Sequence, residues 1–189
     1  MITYNDTIHP GDIIAVGDIH GRYGLLDQML EAVKDTGATV ILLGDLIDRG
    51  GQDVEVLERT KQLLDDPQAW GLAGFHALKG NHEQMMLDAY DDTPWGFHDW
   101  INNGGDTTRM LDIFAHVGWV RNLPIYMTVG DTMFIHAGCF PGNNPADAIQ
   151  RGKTQELLWM RQPFLKHGPQ FEKWTDTLKL VVFGHSPLH

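Results

Sequence analysis

Five short polar motifs, each placed directly after a short apolar run, constrain this sequence more than any other feature. Every motif combines glycine with residue types that bind metal ions or phosphate groups. In chain order they read GDIHG at 17–21, GDLIDRG at 44–50, GNHE at 80–83, HAG at 136–138 and GHS at 184–186. Because glycine permits tight turns and interrupts regular structure, we expect each motif to form a loop at the end of a strand.

The apolar runs before the motifs predict buried β-strands, because they are short and rich in Val, Ile and Phe. The predicted strands cover residues 13–16, 39–43, 75–78, 133–135 and 180–183. Helical periodicity occupies stretches between them, at 25–33, 54–63 and 85–87. Alternating strands and helices predict an α/β (α+β) fold in which helices cover a sheet and the motif residues lie at strand ends.

Residues 90–124 differ from the rest of the chain because aromatic residues surround a glycine-containing loop at 102–105. We expect a helical cap beside the motif residues, with Asp106 or Thr107 as the N-cap of a segment through Phe114. The sequence leaves open whether the aromatic side chains fill a small satellite core or line a substrate groove. They are Trp95, Phe97, Trp100, Phe114 and Trp119.

Composition and charge exclude several classes of protein. With 189 residues, 42% of them hydrophobic, the chain predicts one domain over residues 1–189. The formal net charge of −11 disfavours a nucleic acid or an anionic membrane as the main partner. The single cysteine, Cys139, cannot form an internal disulfide, the N-terminal segment lacks a signal-peptide pattern, and no apolar run is long enough to cross a bilayer. We therefore expect a cytoplasmic protein.

The motif side chains suit a centre for two metal ions. Asp18 and His20 are two residues apart, so in an extended strand end they share one face and can converge on one ion. Asp45 has two carboxylate oxygens and could bridge this ion to a second one, which three more ligands would complete: Asn81, His136 and His185. Mixed oxygen and imidazole ligation favours Mn²⁺, Fe or Zn²⁺ over Ca²⁺.

Each motif alone has a simple explanation, such as a turn or a surface histidine, but their joint occurrence after predicted strands favours a functional centre. Together they resemble the phosphoprotein phosphatase branch of the calcineurin-like metallophosphoesterases, and most of all its small bacterial and phage members. The segments NHEQMM at 81–86, NGG at 103–105 and WMR at 159–161 extend this resemblance.

The resemblance implies a two-layer mixed β-sandwich flanked by helices. It also implies two divalent metal ions, with manganese as the first expectation and iron or zinc as alternatives. Asp18, His20 and Asp45 would hold one ion, and the other would be held by Asp45, Asn81, His136 and His185. Relatives continue through further strands after the last motif, so either this chain is shortened or it tolerates an open sheet edge.

By resemblance, the activity is that of a serine/threonine protein phosphatase that uses a metal-bridging hydroxide on a phosphorylated protein or peptide. Phosphotyrosine stays open as a further substrate, and the sequence does not predict an oligomeric state. Arg49 and Arg161 would bind the substrate phosphate, because the guanidinium fork matches phosphate oxygens. His82 would protonate the leaving alkoxide, and Asp48 would hold and orient that imidazole.

Lys79 departs from the family pattern, since many relatives carry arginine before the GNHE motif. Lysine keeps the positive charge but lacks the guanidinium group that binds phosphate through two parallel hydrogen bonds, so we expect no firm phosphate contact at this position.

Three other functions compete with the protein phosphatase interpretation. Hydrolysis of dinucleoside polyphosphates or of RNA 5′ ends is the nearest alternative, although the symmetrical dinucleoside tetraphosphatases typically have Ala in place of Asp48 and Asp in place of Glu83. A non-catalytic scaffold with this fold would be expected to lose metal ligands, and all six are present. A cysteine-dependent phosphatase is excluded, because its loop needs arginine where Pro145 stands.

Overall fold

Two three-stranded β-sheets form the centre of the structure, a computed structural model that describes residues 11–186. The first sheet is parallel and has the order β1-β2-β3, formed by Ile13–Val16, Thr39–Leu42 and Gly74–Ala77. The second sheet has the order β4-β5-β6, formed by Tyr126–Val129, Thr132–Ile135 and Leu180–Phe183. In it, β4 is antiparallel to β5 and β6 is parallel to β5.

Nine α-helices lie between these strands within the described residues. The three longest are α1 to α3, which span Tyr23–Val33, Asp53–Asp65 and Asn81–Tyr90. The shorter helices α4 to α6 span Gly96–Asn102, Met110–Phe114 and Val117–Val120. The last three, α7 to α9, span Pro145–Gln150, Thr154–Leu158 and Phe164–His167.

Alternation along β2 divides its side chains between two cores. Val40 and Leu42 are fully buried in a cluster that includes Leu30 of α1 and Leu57 of α2. Ile41 points to the opposite face and packs in a separate cluster with side chains of the second sheet. Successive side chains of a strand point to opposite faces, so the first sheet buries one face under helices and the other against its partner sheet.

The second sheet has the same two-sided burial. Met133 and Ile135 of β5 pack in a cluster with Leu157 of α8 and Phe164 of α9. Phe134, on the other face of β5, packs with Ile41 in the cluster that lies between the two sheets. The predicted fold, a two-layer mixed β-sandwich flanked by helices, is confirmed.

The carboxyl ends of the parallel strands meet at one end of the sandwich. The register pairs Val16 with Leu42 and Leu42 with Ala77, and in the second sheet it pairs Ile135 with Phe183. The five predicted strands are present within one residue at each end, whereas β4 was not predicted. Each of the five is followed by one of the polar motifs, so the fold gathers all the motifs at a common end.

The helices predicted between residues 90 and 124 are present as α4, α5 and α6. Asp106 accepts a hydrogen bond from the Thr108 backbone N–H, as expected of an N-cap, at the start of the short 3₁₀ turn Thr107–Arg109. The aromatic side chains do not form a separate satellite core. Trp100 is fully buried in the same cluster as Val40 and Leu42 of β2, and Phe114 and Trp119 pack against that cluster. Trp95 and Phe97 are exposed.

The single cysteine of the chain lies in the interior. Cys139 is 1% exposed, and burial raises the pKa of its thiol to about 11. None of the helices in this part of the chain is long and apolar enough to span a membrane. The N-terminal segment without a signal-peptide pattern falls in residues 1–10, which lie outside the described residues.

Candidate metal centre

The five motif loops bring the six predicted metal ligands together at the carboxyl ends of the strands. An open cleft of about 530 Å³ lies over them, and its lining includes Asp18, His20, Arg49, Arg161 and His185. Asp45, Asn81 and His136 lie beneath the cleft and are almost fully buried. The loops that carry these residues come from both sheets, so the site depends on the sandwich.

Asp45 is the centre of the arrangement and presents a different oxygen to each side. Its Oδ2 lies 3.8 Å from His20 Nε2, and its Oδ1 lies 3.4 Å from His136 Nε2. Two ligands of one ion bound at about 2.1 Å are at most about 4 Å apart. Both distances therefore fit a carboxylate that bridges two ions.

The two histidines beside Asp45 have their ring orientation set by backbone carbonyls. His20 Nδ1 lies 3.0 Å from the Ile47 carbonyl oxygen, and His136 Nδ1 lies 2.9 Å from that of Leu43. A carbonyl can only accept, so each Nδ1 carries the proton and donates it. This leaves the Nε2 lone pairs directed into the centre, which is the usual arrangement of metal-binding histidines.

Asn81 and His136 also suit a cation. Asn81 Oδ1 lies 3.0 Å from His136 Nε2, so an amide oxygen faces a ring nitrogen whose partner nitrogen already donates. Burial alone would lower the pKa of His136, but the hydrogen bond and charge of Asp45 outweigh it and raise the pKa. A metal ion can replace the proton between these two groups, because metal binding releases protons from its ligands.

Asp18 and His185 close the centre on its open side. The His185 backbone N–H donates to Asp18 Oδ1 over 2.9 Å, and Asp18 Oδ2 lies 3.9 Å from His20 Nε2. Burial and the neighbouring His136 lower the pKa of His185 to about 4. His185 is therefore neutral at physiological pH, as a metal ligand must be.

Two groups of side chains have ligand atoms that all lie within 4.8 Å of one another. One contains Asp45, His136 and His185, as predicted for one ion, and the other contains His20, Asp45 and His82. The residues present thus fit a centre for divalent cations, although the second group includes His82, which we predicted as a proton donor. Its Nε2 faces the same space as the ligands, 3.9 Å from Asp45 Oδ2.

His82 and Asp48 form a buried pair beside the metal ligands. His82 Nδ1 lies 2.6 Å from Asp48 Oδ2, and neither side chain is more than 1% exposed. Trp100 Nε1 donates to the other oxygen of Asp48 over 2.9 Å. Burial raises the pKa of Asp48 despite the opposing hydrogen bonds from His82 and Trp100.

The two predicted phosphate-binding arginines lie on the cleft. Arg49 donates from Nη1 to His20 Nε2 over 2.7 Å and from Nη2 to His82 Nε2 over 2.9 Å. Arg161 Nε donates to His185 Nε2 over 3.2 Å. Both guanidinium groups thus donate to histidines that are predicted metal ligands, and a phosphate bound in the cleft would compete with these rings for the guanidinium N–H groups.

Lys79 does not face the cleft. Its ammonium donates to the Arg121 carbonyl oxygen over 2.9 Å, and the residue is 8% exposed. This placement agrees with the expectation that Lys79 makes no firm phosphate contact.

Several motif residues have left-handed backbone conformations, which non-glycine residues adopt at an energetic cost. Glu83 stabilises one of these loops from the start of α3: its carboxylate accepts hydrogen bonds from the backbone N–H groups of Asp45, Leu46 and Gly80 at 2.7–2.9 Å. Burial and the charge of Asp45 raise the pKa of Glu83 to about 7. The left-handed residues are His20, Asp45, Asp48, Arg49 and His185.

Glu83 and Trp100 have roles at the site that sequence reasoning did not assign. Glu83 was visible as the last residue of the GNHE motif, but its hydrogen bonds to the loop after β2 are long-range. Trp100 was visible only as one of several aromatic residues between 90 and 124. Nothing in the local sequence singled it out from Trp95, which is 74% exposed.

Replacement of Trp100 by phenylalanine should destabilise the protein by about 2 kcal/mol, because it opens a cavity and leaves a buried carboxylate oxygen without its donor. Urea unfolding followed by circular dichroism measures this change. Trp95→Phe is the matched control and should change the free energy of unfolding by less than about 0.5 kcal/mol, since that side chain is exposed. Equal effects of the two substitutions would contradict the role given to Trp100.

The chain is similar to proteins of two named activities. Over 100 residues it is 38% identical to serine/threonine-protein phosphatase 2 of Escherichia coli strain K12, a match that covers 52% of this chain and 40% of that protein. Over 176 residues it is 29% identical to the symmetrical bis(5'-nucleosyl)-tetraphosphatase of Methylococcus capsulatus, which covers 88% of this chain and 59% of that protein.

Among solved structures, that of the cold-active protein-tyrosine phosphatase of a Shewanella species matches with a TM-score of 0.49 and 26% identity, over 76% of this chain and 46% of that one. The chain thus spans between 40% and 59% of the length of these three relatives.

The chain also matches the sequence profile of one family over nearly its whole length. The profile is described as calcineurin-like phosphoesterase and covers residues 11–189, which include all five motifs. Together with the two-sheet fold and the cluster of aspartate and histidine side chains, this match shows that the chain belongs to the calcineurin-like phosphoesterase family.

Proposed function

We propose that this chain is a metal-dependent phosphatase that hydrolyses phosphate monoesters on serine and threonine side chains of proteins. Phosphotyrosine is a further candidate substrate of the same centre. The family supplies the phosphoesterase activity, and the choice of a protein substrate rests on the buried pair of His82 and Asp48.

The leaving group decides between substrate classes. A serine or threonine alkoxide is strongly basic, so its departure is accelerated by a positioned proton donor. His82 can serve as this donor through Nε2, because Asp48 holds its Nδ1 at 2.6 Å and the Nε2 side faces the metal ligands. Cleavage of a phosphoanhydride releases a phosphate, which is a much weaker base and needs less help from an acid.

Two ions, with Mn²⁺ as our first expectation, would activate a water molecule and neutralise charge on the phosphoryl oxygens. We assign one ion to Asp18, His20 and Asp45. The other would be held by Asp45, Asn81, His136 and His185. Asp45 suits the shared position, since its two oxygens face opposite histidines and the charges of His136 and His82 lower its pKa in spite of burial.

Arg49 and Arg161 would bind the non-bridging oxygens of the substrate phosphate. Both have N–H groups within 3.2 Å of ligand histidines, so only a small displacement separates them from a phosphate in the cleft. Arg49 also donates to His82 Nε2, which is the acceptor in this contact. When Arg49 turned to a bound phosphate, this nitrogen would be free to carry the proton that His82 donates. A guanidinium is well suited to this position because it presents parallel donors to phosphate oxygens.

Hydrolysis of dinucleoside polyphosphates is the second candidate function. The symmetrical tetraphosphatase of Methylococcus capsulatus matches a larger share of this chain than the Escherichia coli phosphatase does. Asp48 favours the protein phosphatase, because the tetraphosphatases typically carry alanine there, and alanine could not orient His82.

A substrate panel with added Mn²⁺ tests the proposal. We expect the highest kcat/KM with phosphoserine and phosphothreonine peptides, and a lower value with a symmetrical dinucleoside tetraphosphate or an RNA 5′-triphosphate. A higher kcat/KM with the dinucleotide would favour the second candidate. Failure to hydrolyse any of these substrates, p-nitrophenyl phosphate included, would favour a non-catalytic scaffold.

A further inference from the structure

The loop after β2 carries Asp48, the partner of the proposed proton donor His82, and it contains two consecutive left-handed residues, Asp48 and Arg49, with φ angles of 72° and 71°. Neither residue is glycine, so this backbone conformation is disfavoured at both positions and requires stabilisation from outside. The conformation matters because Asp48 must direct its carboxylate at His82.

Each of the two backbone N–H groups has a partner outside the loop turn. The Arg49 N–H donates to the Gly104 carbonyl oxygen over 3.2 Å. The Asp48 N–H donates to Oδ1 of Asp53, the first residue of α2, over 3.0 Å. Asp53 is 3% exposed, so water does not replace this bond easily.

Asp53 also packs against the loop that carries His20. A Cβ atom added to Gly21 would lie 2.1 Å from Asp53 Oδ1, so there is no room for a side chain at position 21 beside the Asp53 carboxylate. The Gln52 N–H donates to the Gly21 carbonyl oxygen over 3.0 Å. Asp53 is therefore held between the loop of a predicted metal ligand, His20, and the loop that carries Asp48.

The placement of Asp53 is costly for stability. Its Oδ2 is buried and has no hydrogen-bond partner among residues 11–186. Burial and the charge of Asp48 raise the pKa of Asp53 to about 6. A buried, partly unsatisfied carboxyl group beside another carboxyl group indicates a role other than stabilisation of the fold.

We propose that Asp53 is a positioning residue for proton donation: it holds the Asp48 backbone so that Asp48 orients His82. This inference rests on the proton-donor role proposed above for His82. The competing explanation is that Asp53 is only an acidic residue in the first turn of α2, where it interacts favourably with the helix dipole. Glu55 lies in the same turn and bonds to Arg109 instead, so it provides a matched control.

The experiment compares kcat for a phosphoserine peptide with kcat for p-nitrophenyl phosphate, whose leaving group needs little protonation. Asp53→Ala and Asp53→Leu remove the acceptor, and the leucine variant leaves no large cavity. In either variant, the ratio of kcat for the peptide to kcat for p-nitrophenyl phosphate should fall about tenfold, the scale expected of a small misplacement of a reacting group. Asp53→Asn keeps an acceptor oxygen and should retain a ratio close to that of the wild type, as should Glu55→Ala.

A second measurement places Asp53→Ala in a His82→Asn background. There the ratio should change less than about twofold, because residues that act through one group are not additive. An unchanged ratio in a folded Asp53→Ala or Asp53→Leu protein would overturn the proposal. If His82→Asn alone left the ratio unchanged, the proton-donor role itself would be wrong, which separates the two failures.

Discussion

Replacement of His82 by asparagine should lower kcat for a phosphoserine peptide by about 10²–10⁴-fold, the usual contribution of a positioned general acid. The loss with p-nitrophenyl phosphate should be clearly smaller, because its phenolate leaves without a proton. Asp48→Asn should also lower kcat more for the phosphoserine peptide than for p-nitrophenyl phosphate, but by a smaller factor than His82→Asn. It disturbs the orientation and charge of His82 without removing the imidazole.

His98→Asn is the matched control for this prediction. His98 is exposed on α4 and interacts with Asn102 and Asp99, away from the cleft lining. It should leave both kcat values unchanged. Equal losses on the two substrates in His82→Asn, at unchanged metal content, would show that His82 acts in binding or as a ligand and not as the acid.

The strands that carry the site could be predicted because their signal is local. Each is a short apolar run followed by glycine and a polar motif, and the residues of one motif need only their neighbours in sequence to form a loop. The strand β4 was missed because no motif of this kind follows it: the two residues after it, Gly130 and Asp131, lead directly into β5.

The parts of the site that could not be predicted depend on long-range contacts. Trp100 reaches Asp48 from 52 positions along the chain, and Glu83 reaches Leu46 from 37 positions. Asp53 is close in sequence to Asp48, but its contact depends on the left-handed turn between them. Residue type and spacing do not encode such contacts, because the sandwich must form before these side chains meet.

Asp45→Asn should release both proposed metal ions together and reduce phosphatase activity by at least about a thousandfold, since both ions would contribute to activating water and neutralising charge. The reason is geometric: the two oxygens of this carboxylate face His20 on one side and His136 on the other. An amide has a neutral oxygen and a nitrogen that cannot bind a cation in the same way.

His20→Ala provides the comparison, because His20 belongs to only one of the two proposed sites. It should mainly empty that site and leave the ion at Asn81, His136 and His185 in place. Elemental analysis of the two purified variants at equal free Mn²⁺ measures the difference. If Asp45→Asn retained one ion at full occupancy, the bridging role of Asp45 would be wrong.

The claim that six convergent side chains form a catalytic centre for two metal ions is tested most directly by counting ions while activity is followed. The protein is stripped with a chelator and titrated with Mn²⁺, and bound metal per chain is measured together with the rate of phosphate ester hydrolysis. We expect no activity without metal and full activity when two ions are bound per chain. Full phosphatase activity in rigorously metal-free protein would contradict the account.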